Sequence, residues 1–272
     1  MLWTRLPVQI NITVISWFRR HTLAAHFLVI ALAVLLYPLW PAAAFLIIAV
    51  YVVVLGVASM NMAINLFVDT FRHVHPDGGS TGEPGGQIAI SFDDSPTEGT
   101  AQVLAILKAH DVKATFFIVG AHAAARPDLL RQIVQEGHAI GNHSYSHAHT
   151  LPFKRPATIL ADIQRCSETI TAITGVIPRM YRPPFGVVNP GIGQAVRASQ
   201  LPCVGWSLRS FDTATARPAR LLSRITSRLE PGAVVLLHDY PAVTPQILPD
   251  LLQEIKRRNF TCVLLSPETL QP

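Results

Sequence analysis

Two kinds of hydrophobic pattern divide this chain. From Leu23 to Met60 almost every position is apolar, and the only ionisable side chains are His26, Tyr37 and Tyr51. After residue 86, apolar runs of strand length alternate with longer amphipathic stretches of helix length. The first pattern predicts membrane-spanning segments. The second predicts a globular domain in which strands and helices alternate.

The apolar region consists of two stretches, 22–40 and 42–60, of 19 residues each. A single helix of that total length would extend about 55 Å, whereas the hydrocarbon core of a bilayer is about 30 Å thick. Pro38 and Pro41 also favour a break between the stretches. A signal peptide is the alternative, but its apolar core would have only about 7–15 residues. The pattern therefore predicts a two-helix transmembrane hairpin within a membrane-anchoring region, residues 1–75.

The distribution of positive charge predicts how this hairpin is oriented. Arg5, Arg19 and Arg20 precede the first stretch, Arg72 follows the second, and the turn between them carries no charge. By the positive-inside rule, both flanks are cytoplasmic. We therefore expect an integral protein of a bacterial-type inner membrane with its C-terminal domain on the cytoplasmic side. A single effective span would instead place that domain outside.

The region after residue 76 divides into a linker, 76–86, rich in glycine and proline, and a domain, 87–272. Seven runs in this domain are expected to be strands: Ile88–Phe92, Ala114–Val119, His138–Gly141, Met180–Arg182, Cys203–Trp206, Ala233–Leu237 and Cys262–Leu264. Six stretches are expected to be helices: Thr100–His110, Pro127–Glu136, Ala157–Thr174, Pro190–Ser199, Pro218–Leu229 and Pro245–Arg258. Such alternation predicts a mostly parallel α/β sheet, open or closed.

Five short polar segments lie at or just past the ends of these strands. They are Ser91–Asp94, His143–His147, Arg182–Phe185, Trp206–Asp212 and Leu236–Asp239. In parallel barrels the carboxyl ends of the strands form the rim on which active sites are built. Together the segments supply paired carboxylates, two closely spaced histidines, an arginine and a further histidine. This combination suits metal-assisted hydrolysis.

The two acidic residues and the paired histidines are the candidate metal-binding groups. Adjacent carboxylates at a strand end point in alternating directions, so one of Asp93 and Asp94 can bind a metal while the other faces its water. A turn-forming Asp pair is the alternative. The four-residue spacing of His143 and His147 predicts two imidazoles on one face of a helical turn. Two histidines and a carboxylate suit Zn²⁺, with Co²⁺, Ni²⁺ or Mn²⁺ as alternatives.

Composition narrows the choice of partner. The net charge is +5, but the basic residues are scattered and form no dense stripe, which argues against nucleic acid. Three cysteines lie far apart in the sequence and suggest no disulfide framework.

Taken together, the five segments resemble the motifs of the NodB-homology polysaccharide deacetylases, carbohydrate esterase family 4. The resemblance covers about residues 87–265 and leaves the membrane region outside. It implies a distorted (β/α)7-type barrel. It also implies a metal-dependent carbohydrate N-deacetylase, a hydrolase that removes an N-acyl group, most simply N-acetyl, from an amino sugar.

The resemblance also implies roles for the acidic motif and its neighbours. Asp94 corresponds to a metal ligand, together with His143 and His147. Asp93 corresponds to the general base, and Arg182 to the arginine that pairs with this base and orients it.

The remaining motifs correspond to the acid and the substrate-binding groups. His238 resembles the general acid that protonates the departing amine, and Asp212 the carboxylate that orients this histidine. Leu236 and Trp206 would line the pocket for the acyl group, although Trp206 is equally suited to the core. The backbone N–H of Phe185 would donate to the oxyanion.

Two departures from the family pattern leave the substrate open. The family usually has Tyr where this chain has Phe185, and Trp where it has Thr213, so the acyl group could differ from acetyl. A cytoplasmic site beside the bilayer favours a membrane-associated saccharide or lipid-linked glycan, with membrane lipid as a further partner. The alternatives are an outward-facing deacetylase of peptidoglycan or a chitin-type polymer, and a catalytically inactive carbohydrate-binding module.

Overall fold

The computed structural model describes residues 22–76 and 86–271. The charged segment that includes Arg5, Arg19 and Arg20, and residues 77–85 of the predicted linker, lie outside the described residues.

The chain begins with two apolar helices, α1 (Thr22–Leu36) and α2 (Pro41–Met60), which pack against each other. The turn between them lies at the predicted break, and Pro41 is the first residue of α2, a position where its missing N–H costs nothing. Many large apolar side chains of both helices are exposed, including those of Phe27, Leu35, Trp40, Phe45 and Val53. A surface of this kind is typical of contact with lipid.

Of the described helices, α2 alone is long and apolar enough to cross a membrane by length and composition. The described part of α1 has 15 residues, or about 22 Å at 1.5 Å per residue, which is shorter than a hydrocarbon core of about 30 Å. The structure therefore provides one candidate span near the N-terminus. A hairpin that crosses the bilayer twice stays a prediction.

The C-terminal region is built on a parallel sheet centred on one long strand. This strand, β3 (Gln87–Ser95), pairs on one side with β4 (Thr115–Ile118) and on the other with β8 (Val234–His238). Beyond these neighbours lie β5 (Ala139–Asn142), paired with β4, and β7 (Leu208–Arg209), paired with β8. The predicted mostly parallel α/β sheet is confirmed in these strands.

The sheet continues beyond β5 through a single residue. Tyr181 forms parallel bridges to Asn142 and to Cys203, the first residue of β6 (Cys203–Val204), which pairs with β1 (Thr70–Phe71). The strand predicted at Met180–Arg182 is thus reduced to one bridging residue. Pairings among the described residues do not join β1 to β7, so closure of the predicted (β/α)7 barrel stays a prediction.

Within residues 86–271, seven α-helices accompany the sheet: α3 (Thr100–Ala109), α4 (Gly120–Ala125), α5 (Pro127–Gln135), α6 (Pro156–Thr174), α7 (Pro190–Ser199), α8 (Pro218–Thr226) and α9 (Val243–Arg257). Four of them begin at a proline, whose fixed φ favours the first helical turn. The six predicted helices are all present, with ends within three residues of those predicted, and the short α4 was not predicted. The core between sheet and helices includes Ile90, Phe92, Phe116, Ile133 and Leu248.

The strand pairings of residues before 87 bear on the predicted domain boundary there, which stays a prediction. Strand β1 pairs with β6, and β2 (His73–Val74) pairs antiparallel with the two-residue strand Leu270–Gln271. Residues 70–74 therefore belong structurally with the C-terminal region. In addition, the Gln87 N–H donates to the Pro76 carbonyl over 2.8 Å, so the two ends of the predicted linker are adjacent. The segment that joins α2 to the sheet is 61–69.

Candidate active site

The acidic pair lies at the end of β3, where the strand departs from regular geometry. Asp93 is the last β3 residue in register with β8, directly opposite His238. The pairing of β3 with β4 shifts between Phe92 and Ser95, and Asp94 within this irregularity has a φ of +67°. Aspartate adopts such left-handed backbone more readily than most residues. As a result, Asp93 and Asp94 contact different partners.

Asp94, His143 and His147 form a compact set of three possible metal ligands. The Asp94 Oδ1 atom lies 3.0 Å from Nε2 of His147 and 3.5 Å from Nε2 of His143, and the three ligand atoms all lie within 4.8 Å of one another. Asp94 Oδ1 is buried and accepts no hydrogen bond of good geometry. A buried carboxylate oxygen without a donor is costly unless a cation supplies the missing interaction. The residues therefore fit a divalent metal.

The two histidines are not on a helical turn, which corrects the prediction made from their spacing. Residues 143–147 form an irregular loop after β5, with positive φ at Ser144 (+73°) and His147 (+47°). The two rings nevertheless lie 5.0 Å apart. His143 Nδ1 is 2.7 Å from the Arg182 carbonyl oxygen, so this nitrogen donates and Nε2 faces Asp94. Burial, and after it the neighbouring His143, lower the pKa of His147 to about 4, which favours the neutral imidazole that a metal ligand requires.

A residue that the sequence reasoning missed, Asp162 of α6, shapes this histidine loop. Its Oδ1 accepts hydrogen bonds from the Ser144 hydroxyl (2.6 Å) and the Tyr145 N–H (2.8 Å), and its Oδ2 accepts one from the Ser146 N–H (3.1 Å). Ser144 Oγ in turn accepts from the His147 N–H. A single aspartate within an amphipathic helix carries no sequence signal for such a role, because the contact depends on how α6 packs.

Arg182 is fully buried and directly contacts Asp93. Its Nη1 donates to Asp93 Oδ1 over 2.6 Å and to Ser91 Oγ over 2.9 Å. Its Nη2 and Nε donate to the carbonyl oxygens of Gly205 (2.7 Å) and Val204 (3.2 Å). This network fixes the orientation of Asp93, whose second oxygen lies 3.7 Å from Nε2 of His143.

His238, at the end of β8, is held by Asp212. The His238 Nδ1 lies 2.9 Å from Asp212 Oδ1, and its backbone N–H donates to Asp212 Oδ2 over 2.7 Å. The Ser210 and Thr244 hydroxyls also donate to this carboxylate. Burial by itself lowers the pKa of His238, but the hydrogen bond to Asp212 and its charge outweigh burial and raise the pKa. The free Nε2 lies 4.0 Å from Asp94 Oδ2.

The three residues predicted to contact the substrate occupy different surroundings. Phe185 has a φ of +61° after two prolines, is partly exposed, and its ring lies 4.6 Å from those of His147 and His149. Trp206 is half-buried and, with Phe185, lines a cavity next to the histidines. Leu236 is buried within β8 and is not among the described residues that line this cavity.

Two further residues support the backbone around Asp94. His122 Nδ1 lies 2.7 Å from the Asp94 carbonyl oxygen. The buried Asp239 carboxylate accepts hydrogen bonds from the hydroxyls of Ser95, Thr97 and Thr100, and burial raises its pKa. Asp239 thus shapes the turn that follows β3.

Comparison with known proteins agrees with this geometry. Residues 81–204 match the family model described as polysaccharide deacetylase. The chain is 35% identical over 157 residues to a chitooligosaccharide deacetylase of a Bradyrhizobium strain, covering 57% of this chain and 71% of the relative. It therefore belongs to the polysaccharide deacetylase family, carbohydrate esterase family 4.

Two other relatives indicate how far the similarity extends. The family 4 carbohydrate esterase from Streptomyces lividans, solved in complex with acetate, superposes with a TM-score of 0.64 at 32% identity, covering 68% of this chain and 95% of that one. The peptidoglycan-N-acetylglucosamine deacetylase PgdA of Listeria monocytogenes is 31% identical over 180 residues, which are 66% of this chain. The match spans only 38% of the length of the Listeria relative.

Proposed function

We propose that this protein is a membrane-anchored, metal-dependent carbohydrate N-deacylase. Its substrate is an amino sugar of a membrane-associated saccharide or lipid-linked glycan, and N-acetyl is the simplest acyl group. One observation carries the proposal: Asp93 and His238 flank the Asp94–His143–His147 set, with contacts of 3.7 and 4.0 Å to its members. A base and an acid on either side of a metal-binding set are what amide hydrolysis needs.

The base side is the group of residues around Asp93. Asp94, His143 and His147 would hold the divalent cation, which when bound supplies Lewis-acid activation of the amide carbonyl and of the attacking water. Asp93 accepts the proton of that water through the oxygen that faces His143, while Arg182 holds its other oxygen. The base is thereby oriented before the substrate arrives.

The acid side completes the reaction. His238 donates a proton from Nε2 to the departing amine nitrogen, which is a poor leaving group without it. Asp212 raises the pKa of His238 above its ordinary value, which favours the protonated form that a general acid needs. The Phe185 N–H donates to the developing oxyanion, and Trp206 and Leu236 provide apolar surface for the acyl group.

The contact between α2 and the site supports a membrane-associated substrate. The Val188 N–H, just after the Phe185 segment, donates to the Ser59 carbonyl near the end of α2 over 2.8 Å. Met62, two residues after α2, belongs to the same apolar cluster that Trp206 packs against. A site joined directly to the end of an apolar helix operates close to the lipid surface.

Amine release tests the proposal. The full-length protein, purified in detergent and loaded with Zn²⁺, should release free amine from N-acetylated chitotriose, and Asp93→Asn should abolish most of this release. Extraction of the metal with a chelator should stop it, and added metal should restore it. Saccharide binding by the metal-loaded protein without any amine release from N-acetyl or N-formyl substrates would favour the inactive carbohydrate-binding alternative.

An outward-facing polymer deacetylase is the second candidate. It is favoured by the observation that α2 is the one described helix long and apolar enough to cross a membrane, because one span would place the C-terminal region opposite the N-terminus. The name of the Listeria relative points in the same direction. Reporters fused after Pro272 separate the two: we expect an active cytoplasmic reporter, and alkaline phosphatase activity alone would support the outward-facing polymer enzyme.

A further inference from the structure

A cavity lined by three arginines opens beside the candidate active site. Its volume is about 270 Å³, and Arg72, Arg209 and Arg228 all lie on its wall. Phe185 and Trp206 line the same cavity, and the Phe185 ring also contacts His147 of the metal-binding set. The cavity therefore shares two of its lining residues with the candidate active site, yet the proposed reaction uses none of these three arginines.

None of the three arginines has a carboxylate of the described residues within ion-pair distance, in contrast to surface residues such as Arg131, which contacts Asp128. The Arg72 Nε is buried and has no hydrogen-bond partner there. Burial lowers the pKa of Arg72, with no carboxylate to offset it. The Arg209 guanidinium lies 5.7 Å from the Trp206 ring and 4.9 Å from the Phe211 ring. The buried, unpartnered Nε of Arg72 calls for an acceptor. The exposed guanidiniums of Arg209 and Arg228 line the same cavity without a carboxylate partner, so an anion is the acceptor that fits.

The arginines also indicate which anion fits. Each guanidinium presents a planar fork of N–H donors that matches the oxygens of a phosphate. One carboxylate can satisfy one such fork, whereas a phosphate or diphosphate offers enough oxygens and charge for three. The side of the cavity formed by Met60 and Asn61, at the end of α2, would lie near the membrane surface. That is the level at which a phosphate joined to a lipid occurs.

We propose that this cavity binds the phosphate or diphosphate group attached to the sugar whose amide enters the active site. The inference rests on the proposed function, because it takes the reacting sugar to lie between the cavity and the metal-binding set. The arginines hold the charged group, Trp206 and Phe185 face the sugar, and the end of α2 faces whatever the phosphate is linked to. A prenyl lipid and a soluble sugar phosphate share this chemistry.

Selectivity between charged and neutral substrates tests the inference. Full-length, zinc-loaded protein in lipid nanodiscs is assayed for amine release from N,N′-diacetylchitobiose, from its 1-phosphate and from its prenyl diphosphate ester. The variants are Arg209→Gln, Arg228→Gln and both together, since both residues are exposed and should tolerate substitution. Arg131→Gln, exposed on α5 and outside the cavity, is the matched control for loss of one charge.

The measured quantity is a selectivity ratio: kcat/KM for either phosphorylated compound divided by kcat/KM for the neutral compound. We expect this ratio to fall about tenfold in each single variant, because a hydrogen bond to a charged group contributes on this scale. It should fall further in the double variant. Arg131→Gln should leave the ratio as it is. Faster turnover of the prenyl ester identifies a lipid-linked substrate, and equal turnover identifies a soluble sugar phosphate. An unchanged ratio in the double variant would overturn the inference.

A binding measurement tests the phosphate site independently of the proposed enzymatic activity. If no compound releases amine, the proposed function fails, and titration calorimetry with the 1-phosphate then decides about the cavity. Binding that is lost in the Arg209→Gln/Arg228→Gln double variant and kept in Arg131→Gln would support it. Binding that survives in the double variant would place the phosphate at the metal-binding set and contradict the inference.

Discussion

The base side and the acid side of the candidate site are each supported by an opposite charge, but the two pairs differ in their exposure to solvent. On the base side, the Arg182 side chain has no exposed surface and donates four hydrogen bonds. On the acid side, the supporting Asp212 is buried, whereas 17% of the His238 side chain is exposed. One ring nitrogen of His238 is engaged by Asp212 and the other faces the site.

This difference matches what the two groups have to do. A general base that acts on a fixed water gains from a rigid, preorganised position. A general acid has to regain its proton after each turnover, so it needs access to solvent. The difference in exposure also affects the stability of the two pairs. Each member of a buried ion pair depends on the other to offset its lost hydration, whereas a histidine with some exposed surface can lose its proton when its partner is removed.

The most severe change is removal of the ligands that lie between the two sides. His143→Ala and His147→Ala should each lose bound metal and activity, because the remaining two ligands cannot hold a divalent cation tightly. The fold should survive, since both residues lie in a loop at the end of the sheet. Elemental analysis and circular dichroism measure the two properties.

His149→Ala is the matched control for these variants, because His149 stacks on Phe185 and is not among the three possible ligands. It should keep its metal. Full metal occupancy in His143→Ala or His147→Ala would contradict the assignment of the ligands.

Substitution of the base and the acid themselves should have the next largest effect. Asp93→Asn and His238→Ala should each lower kcat by about 10²–10⁴, the usual contribution of general acid–base catalysis, while metal stays bound. Steady-state kinetics on protein of measured metal content tests both. Near-normal turnover in either variant would mean that another group performs the proton transfer, and Asp239 would be the first to examine.

The energetic asymmetry between the two sides can be measured by unfolding. Arg182→Met should lower the free energy of unfolding by roughly 3–5 kcal/mol, because it leaves the Asp93 carboxylate buried without its partner. Adding Asp93→Asn should recover part of this loss. Asp212→Asn should destabilise less than Arg182→Met does. Urea denaturation gives these values, and strictly additive effects of Arg182→Met and Asp93→Asn would argue against a coupled pair.

The smallest expected effect is a displacement of the pH profile. Asp212 raises the pKa of His238, and a general acid loses activity as the pH rises through its pKa. Asp212→Asn should therefore move the alkaline limb of kcat/KM to lower pH. Thr244→Val removes only one hydrogen bond to Asp212 and leaves its charge in place, so it should move that limb less than Asp212→Asn does. If the alkaline limb does not move in Asp212→Asn, then His238 is not the group whose titration produces that limb.

The sequence predicted the elements that have strong local signals. The helices that begin at Pro127, Pro190 and Pro218 were found because proline marks a first turn and an amphipathic pattern follows. The central strands were found because their apolar runs are bounded by polar motifs. The same reasoning predicted that the candidate residues lie at one edge of the sheet, because the carboxyl ends of parallel strands meet there.

What the sequence reasoning missed depends on contacts between distant residues. The spacing of His143 and His147 suggested a helical turn, but Asp162 holds that loop in an irregular form through bonds to its backbone. Two-residue strands such as Thr70–Phe71 are too short to show any period, so Arg72 was considered only as a charge near the membrane. Its place in a cavity beside Trp206 follows from the pairing of β1 with β6.

In the proposed membrane-anchored arrangement, the hydrogen bond from the Val188 N–H to the Ser59 carbonyl would fix the distance of the active site from the bilayer. The end of α2 contacts the Phe185 segment directly. The active site is therefore held at a fixed distance from this helix, and its reach is shorter than that of a domain on a flexible linker. If the protein is anchored as proposed, saccharides far from the lipid surface would lie beyond that reach. A fragment shortened to remove the apolar helix would also lack Met60 and one side of the arginine-lined cavity, so its substrate preference would differ from that of the full chain.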